Sequence, residues 1–218
     1  MVWFYYVARL IVRVLFLLLT RCRVRGKENV PAQGPLVVVA NHLNLVDPPL
    51  LGLSLGRRVM FMAKEELFRP RLMGYFMAGL GTFPVSRGKS GGQAVRQALG
   101  MLANGWALAL FPEGMRSRRG QLRSAFPGAA LIASRCGAPV LPVGITGTEK
   151  IKGVAWLFSR PEIRVNIGHP FYLPPINGKL TKQRLAELTD IIMGRITELL
   201  PLEYHGHYLE RKPNGTKD

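Results

Sequence analysis

Leu36-Val37-Val38-Val39-Ala40 is an unbroken apolar run, bounded on its amino side by Gly34-Pro35. Such a run reads as a strand buried on both faces, which requires covering layers above and below it. Shortly afterwards, Asp47-Pro48-Pro49 is a helix-start signal: Asp accepts free amide hydrogens as an N-cap, and Pro fits the first helical position. The helix is expected to pass through Leu50-Leu51 and stop near Gly56. A buried strand, a short loop and a helix in about twenty residues are the opening unit of an α/β chain.

The alternation continues. Strands are expected at 59–63, 106–111, 140–145 and 163–167, with a short extended piece at 82–85. Helices are expected at 65–80 (interrupted near Pro70), 90–104, 125–135 and 181–200, the last with Thr181 near its start. Residues after Pro201 read as a polar tail. The fold class is therefore α/β: a mixed, largely parallel sheet flanked by helices. At 218 residues one such domain suffices. The clearest boundary is near Arg25, giving residues 1–24 as an amphipathic or anchoring helix and 25–218 as the α/β domain.

Residues 1–20 are nearly all apolar, with Trp3, Phe4, Tyr5 and Tyr6 at the start. The exceptions Arg9, Arg13 and Thr20 share one narrow helical stripe, and Arg21, Arg23, Arg25 and Lys27 follow at once. The segment is long enough to span a bilayer, but two arginines near its middle are costly there. A helix in, or tilted into, the membrane interface fits better. The alternative is a helix packed on the body of the domain. The order of charge and apolar run is wrong for a signal peptide.

A formal charge of +17 implies a polyanionic partner: nucleic acid, an anionic lipid surface or phosphorylated ligands. The aromatics lie mainly in apolar runs rather than among the basic residues, and no nucleic-acid motif is present, so nucleic acid is not expected. Cys22 and Cys136 give neither metal spacing nor a disulfide framework, so no metal is expected and a reducing compartment is the plainer setting.

His42 and Asp47 lie in the loop between the first strand and helix. Five residues apart is about 140° around a helix, so the pair can meet only if the loop folds back. If it does, Asp47 fixes the imidazole tautomer and leaves the other ring nitrogen free as a base. Otherwise Asp47 is only a cap and His42 a loop residue. Phe111-Pro112-Glu113-Gly114-Met115-Arg116-Ser117-Arg118-Arg119 places a carboxylate and arginines after another strand. Arginine grips phosphate oxygens in bidentate fashion, and Gly114 permits a tight turn. The block 81–88 likewise ends an extended piece in a Gly-flanked Arg87.

Two motifs are decoys. Gly52-Leu53-Ser54-Leu55-Gly56 matches G-x-S-x-G but falls at a helix end rather than a strand–turn–helix elbow. Gly88-Lys89-Ser90 resembles the end of a P-loop, yet position 83, which should be glycine, is Phe83. With no Ser or Cys nucleophile beside His42, direct attack by an acceptor hydroxyl on an activated acyl group is the economical scheme.

In these motifs the chain resembles the 1-acyl-glycerol-3-phosphate (lysophosphatidic acid) acyltransferases, a group of glycerolipid acyltransferases, over roughly residues 23 to 170. Four ordered motifs carry the resemblance: N-H-x-x-x-x-D at Asn41, His42 and Asp47; G-x-x-x-x-x-R at Gly81 to Arg87; F-P-E-G-T-R-S at Phe111 to Ser117; and the Pro-containing apolar strand Val140-Leu141-Pro142-Val143-Gly144. It implies His42 as general base, with Asp47 orienting it. Arg87, Glu113, Gly114 and Arg116, with Lys64 added, would hold the acceptor's glycerol phosphate, and Pro142 would line the acyl site. It implies a fatty-acyl thioester donor, on coenzyme A or acyl carrier protein, and no metal or tightly bound cofactor. Met115 departs from the motif's usual Thr, which removes a hydroxyl and bears on acceptor preference. The implied product is phosphatidic acid, made in phospholipid biosynthesis at the cytoplasmic face of a membrane. The alternatives are the same chemistry on another lysophospholipid or a lyso-aminolipid, and a non-enzymatic basic binding protein.

Overall fold

The computed structural model describes residues 2–79, 81–85, 91–117, 119–154, 156–175 and 180–209. Arg87, Arg118 and the Gly88-Lys89-Ser90 decoy lie outside them. So do the side chains of Trp3, Phe4, Tyr5, Tyr6 and Lys64.

The strands are β1 (Arg21–Arg25), β2 (Leu36–Ala40), β3 (Val59–Lys64), β4 (Thr82–Val85), β5 (Ala107–Leu110), β6 (Val140–Thr146) and β7 (Glu162–Ile167). Among the described residues they form one sheet in the order β1-β7-β6-β2-β5-β3-β4. β2 through β6 run parallel; β7 pairs antiparallel with β6, and β1 runs parallel to β7. The carboxyl ends of five strands therefore share one edge of the sheet with the amino ends of β1 and β7. Open α/β sheets bind ligands at such carboxyl ends.

β2 occupies the middle, and all five of its residues are fully buried. Helix α2 (Asp47–Ser54) packs Leu50 and Leu51 against one face with Val38, Phe61 and Ala109. On the other face, α4 (Gly91–Ala103), α5 (Gly128–Cys136) and α7 (Lys182–Thr197) pack with Val37, Val39 and Leu108. Each fully buried aliphatic side chain contributes about 1.5–3 kcal/mol of gross burial energy, set against the conformational entropy of ordering the strand. The remaining helices are α1 (Val2–Leu19), α3 (Arg71–Gly79) and α6 (Trp156–Ser159). Thr181 caps α7 as expected, accepting from the Arg184 amide at 3.1 Å, and Ser54 is helical, donating to the Leu50 carbonyl.

The structure corrects three expectations. Residues 21–25 belong to the sheet and not to the leading segment: β1 turns Cys22 and Val24 inward and its three arginines outward. The residues after Pro201 are not simply a polar tail. Tyr208 is buried, its hydroxyl accepts from the Ala125 amide, and Tyr204 and His207 exchange backbone hydrogen bonds with Leu122. Pro142 is buried in β6 against Gly168 and does not line the cleft described below.

Helix α1 packs on the domain by one side and exposes apolar side chains on the other. Phe16 packs on the core, whereas Leu10, Ile11, Val14, Leu15, Leu17 and Leu18 are exposed. No helix among the described residues is long and apolar enough to cross a membrane.

Candidate active site

The β2–α2 loop folds back as the spacing requires. His42 Nδ1 and Asp47 Oδ2 are hydrogen-bonded at 2.8 Å. The same oxygen accepts from the Leu43 and Asn44 amides, each at 2.6 Å. Asp47 is fully buried, so a carboxylate removed from water is held by three donors. It is not the helix N-cap expected from sequence. Val46 holds that position, and Asp47, one residue inside, turns its carboxylate back onto the loop. Phe111 stacks on the imidazole with ring centroids 4.2 Å apart and planes at 22°. His42 Nε2 has no hydrogen bond among the described residues, and His42 lines the cleft.

Asn41 and Asn44 hold the loop to β6 and the turn after it. Asn41 is buried; its amide donates to the Ile145 carbonyl at 2.8 Å and accepts from the Ile145 amide at 2.7 Å, as a ladder partner would. Asn44 donates to the Thr148 and Ile151 carbonyls.

The Phe111–Ser117 segment grips His42 from the other side. Glu113 Oε1 accepts from the His42 amide at 2.9 Å, and the Ser117 amide donates to the His42 carbonyl at 2.7 Å. Glu113 Oε2 accepts from the Arg123 amide at 3.0 Å. This corrects the expectation that Glu113 meets the acceptor. Its side chain is 1% exposed, both oxygens are taken by backbone amides, and it is absent from the cleft wall. Burial pushes its carboxyl up to about 7, against the pull of the two amides and of the Arg123 charge. Gly114 is required where it stands. Its φ is +67°, and a Cβ there would meet the Phe126 ring at 2.9 Å.

A cleft of about 1700 Å³ opens at this edge of the sheet. Leu53 of α2 and Phe61 of β3 line it, as do Arg9 and Val12 of α1, together with Val95 and Ile132 from the opposite face of the sheet. His42, Gly114, Arg116 and Arg119 line the same cleft. Arg116 and Arg119 are exposed and make no ion pair among the described residues. Lys64 ends β3 opposite Val85, at the same edge. No group of three or more His, Cys, Asp or Glu able to hold a metal occurs among the described residues.

The arrangement can take a proton at His42 Nε2 beside uncompensated guanidinium groups and long apolar walls. What sequence reasoning missed is how the motifs serve one another: Glu113 and Ser117 fix the backbone of His42, and the tail at 204–208 fixes the strand of chain that supports Glu113. The signal available for the tail was the spacing of Tyr204 and Tyr208 within polar sequence.

A family model described as Acyltransferase matches residues 21–146. The chain is 31% identical over 178 residues to the 1-acyl-sn-glycerol-3-phosphate acyltransferase of Bacillus subtilis (strain 168), covering 81% of this chain and 87% of that one. It is 27% identical over 212 residues to the protein of the same name from Streptococcus pneumoniae, covering 96% and 77%. The crystal structure of the 1-acyl-sn-glycerophosphate (LPA) acyltransferase PlsC from Thermotoga maritima matches with a TM-score of 0.68 at 28% identity, over 89% of this chain and 79% of that one.

Proposed function

This chain belongs to the acyltransferase family, and from that premise we propose that it moves a fatty-acyl group from an acyl thioester to the free hydroxyl of 1-acyl-sn-glycerol-3-phosphate, giving phosphatidic acid. It is an enzyme, an acyltransferase. The observation that carries the reading is the His42–Asp47 hydrogen bond at 2.8 Å. It keeps the proton on Nδ1 and presents the Nε2 lone pair to a cleft with two exposed arginines.

His42 Nε2 takes the acceptor hydroxyl proton as the oxygen attacks the thioester carbonyl carbon. The tetrahedral intermediate collapses, the C–S bond breaks, and the leaving thiolate takes that proton back from the imidazolium. Asp47 stabilises the transient positive charge and holds the ring, with Phe111 against its face. Arg116, with Arg87 and Lys64, neutralises the acceptor phosphate, and Gly114 allows the tight turn that carries Arg116. The acyl chains lie along the apolar walls of the cleft. No metal or tightly bound cofactor enters these steps; the thioester of coenzyme A or of an acyl carrier protein is the co-substrate. The exposed apolar face of α1 rests on a membrane at its cytoplasmic face, where the acceptor resides, and the +17 charge suits anionic lipid.

The test is acyl transfer by the purified chain to a panel of lysolipids from both donor types. Preferential acylation of 1-acyl-sn-glycerol-3-phosphate is expected. Preference for a lyso-aminolipid or an uncharged lysolipid would replace the acceptor, and acylation of none would remove the function.

A further inference from the structure

The loop between β6 and β7 carries apolar side chains into solvent on the edge of the sheet that holds the cleft. Val154 is 75% exposed and Phe158 is 89% exposed, with Leu157 outward beside them. Single apolar residues on a surface need no explanation. These three stand next to the exposed face of α1. The Arg160 guanidinium donates to the Leu17 carbonyl at 3.1 Å, and the Arg21 amide donates to the Pro161 carbonyl at 3.0 Å. The end of α1, with Leu17 and Leu18 exposed, is thereby joined to the end of α6.

Topology fixes where this joint surface lies. β1 and β7 run against the other five strands, so the ends of α1 and α6 that feed them stand at the carboxyl ends of β2, β5 and β6. His42 follows β2 at that same edge, and Arg9 and Val12 of α1 already line the cleft. Around the apolar side chains, Arg13, Arg21, Lys150, Lys152 and Arg160 are exposed. Neither α1 nor residues 150–161 contains a carboxylate. The flanking acids are engaged: Glu149 accepts from the Tyr204 hydroxyl, and Glu162 pairs with Arg23 and Arg164. An apolar patch ringed by cations and free of carboxylates matches an anionic bilayer, whose headgroups meet the cations while apolar side chains enter the acyl boundary.

We propose that Val154, Leu157 and Phe158 form a second membrane anchor, docking with the outward face of α1 onto an anionic bilayer so that the cleft's edge is held against the lipid. The inference rests on the membrane-held acceptor proposed above. A helix alone can roll about its axis on a surface; two joined contacts fix the orientation of the domain.

The test uses the full chain and vesicles of phosphatidylcholine with and without phosphatidylglycerol. The variant V154D/F158D should bind phosphatidylglycerol vesicles about tenfold or more weakly, since two apolar anchors become charged. Its turnover on vesicle-borne lysolipid should fall in step, while its turnover on a water-soluble short-chain lysolipid and its Tm stay at the wild-type values. L17D/L18D should also lose vesicle affinity. If V154D/F158D binds vesicles as the wild type does while L17D/L18D does not, α1 docks alone and the proposal is overturned, with the acyl-transfer reading intact. A dimer that V154D/F158D dissociates at unchanged vesicle affinity would also overturn it, by assigning the patch to a second copy of the chain. If the wild type binds anionic vesicles as expected but acylates no lysolipid, the anchor stands and the acyl-transfer reading fails.

Discussion

The loop bearing His42 and the segment bearing Arg116 and Arg119 lie side by side at one edge of the sheet, and they are built in opposite ways. In the first, hydrogen bonds hold the base in place: the ring nitrogen to Asp47, the backbone amide to Glu113, and the backbone carbonyl to Ser117. In the second, the guanidinium groups face the open cleft with no ion pair among the described residues. The group that moves a proton must be held within narrow geometric limits. The groups that receive an external anion must stay unneutralised until it arrives. Glu113, between the two in sequence, belongs to the fixed side.

This contrast can be sharpened first at Glu113. Its carboxyl is pushed up to about 7 by burial, above its usual 4.5, so the folded chain keeps a proton there that the unfolded chain has released. Its contribution to stability is full below pH 4.5 and is lost as the pH rises through about 7. Wild-type stability should therefore fall by about 3 kcal/mol relative to Glu113→Gln between pH 4.5 and pH 8. Urea unfolding of both proteins at the two pH values measures it. Parallel changes in the two would mean the carboxyl is not desolvated and the fixed side is looser than described.

A smaller effect is expected on the open side. Arg116→Ala should raise the KM for the phosphorylated acceptor about tenfold or more, the loss of one charge-assisted contact, with little change in the KM for the thioester donor or in Tm. Steady-state kinetics with each substrate varied in turn distinguishes this from a structural role. A large fall in Tm would place Arg116 with the fixed residues and erase the contrast.

The sequence made the fixed framework partly legible, for reasons visible in particular residues. β2 was readable because valines in a continuous run admit few other structures, and α2 because Pro48 and Pro49 suit only the first turn of a helix. That His42 and Asp47 could meet only across a folded-back loop was readable from their having no shared helical face. The direction of the Asp47 carboxylate was not readable, since helix cap and loop clamp call for the same residue type at nearly the same position. β1 was hidden because Arg21, Arg23 and Arg25 read as a charge cluster, although their alternation with Cys22 and Val24 is the period of a strand with one face out. The Glu113 clamp was hidden because a carboxylate among arginines looks like part of a phosphate site. Only the partners of its two oxygens, His42 and Arg123, reveal its task. Pro142 misled because an apolar strand residue near a motif can face either side of the sheet, and tertiary packing chose Gly168.

The central claim is that His42 removes the acceptor's proton from a site built to hold it still. Turnover of His42→Ala with saturating lysolipid and thioester tests it most directly. The account predicts a fall of about a thousandfold, with vesicle affinity unchanged, because the ring makes no contact needed for docking. Near-normal turnover by a folded His42→Ala protein would contradict it.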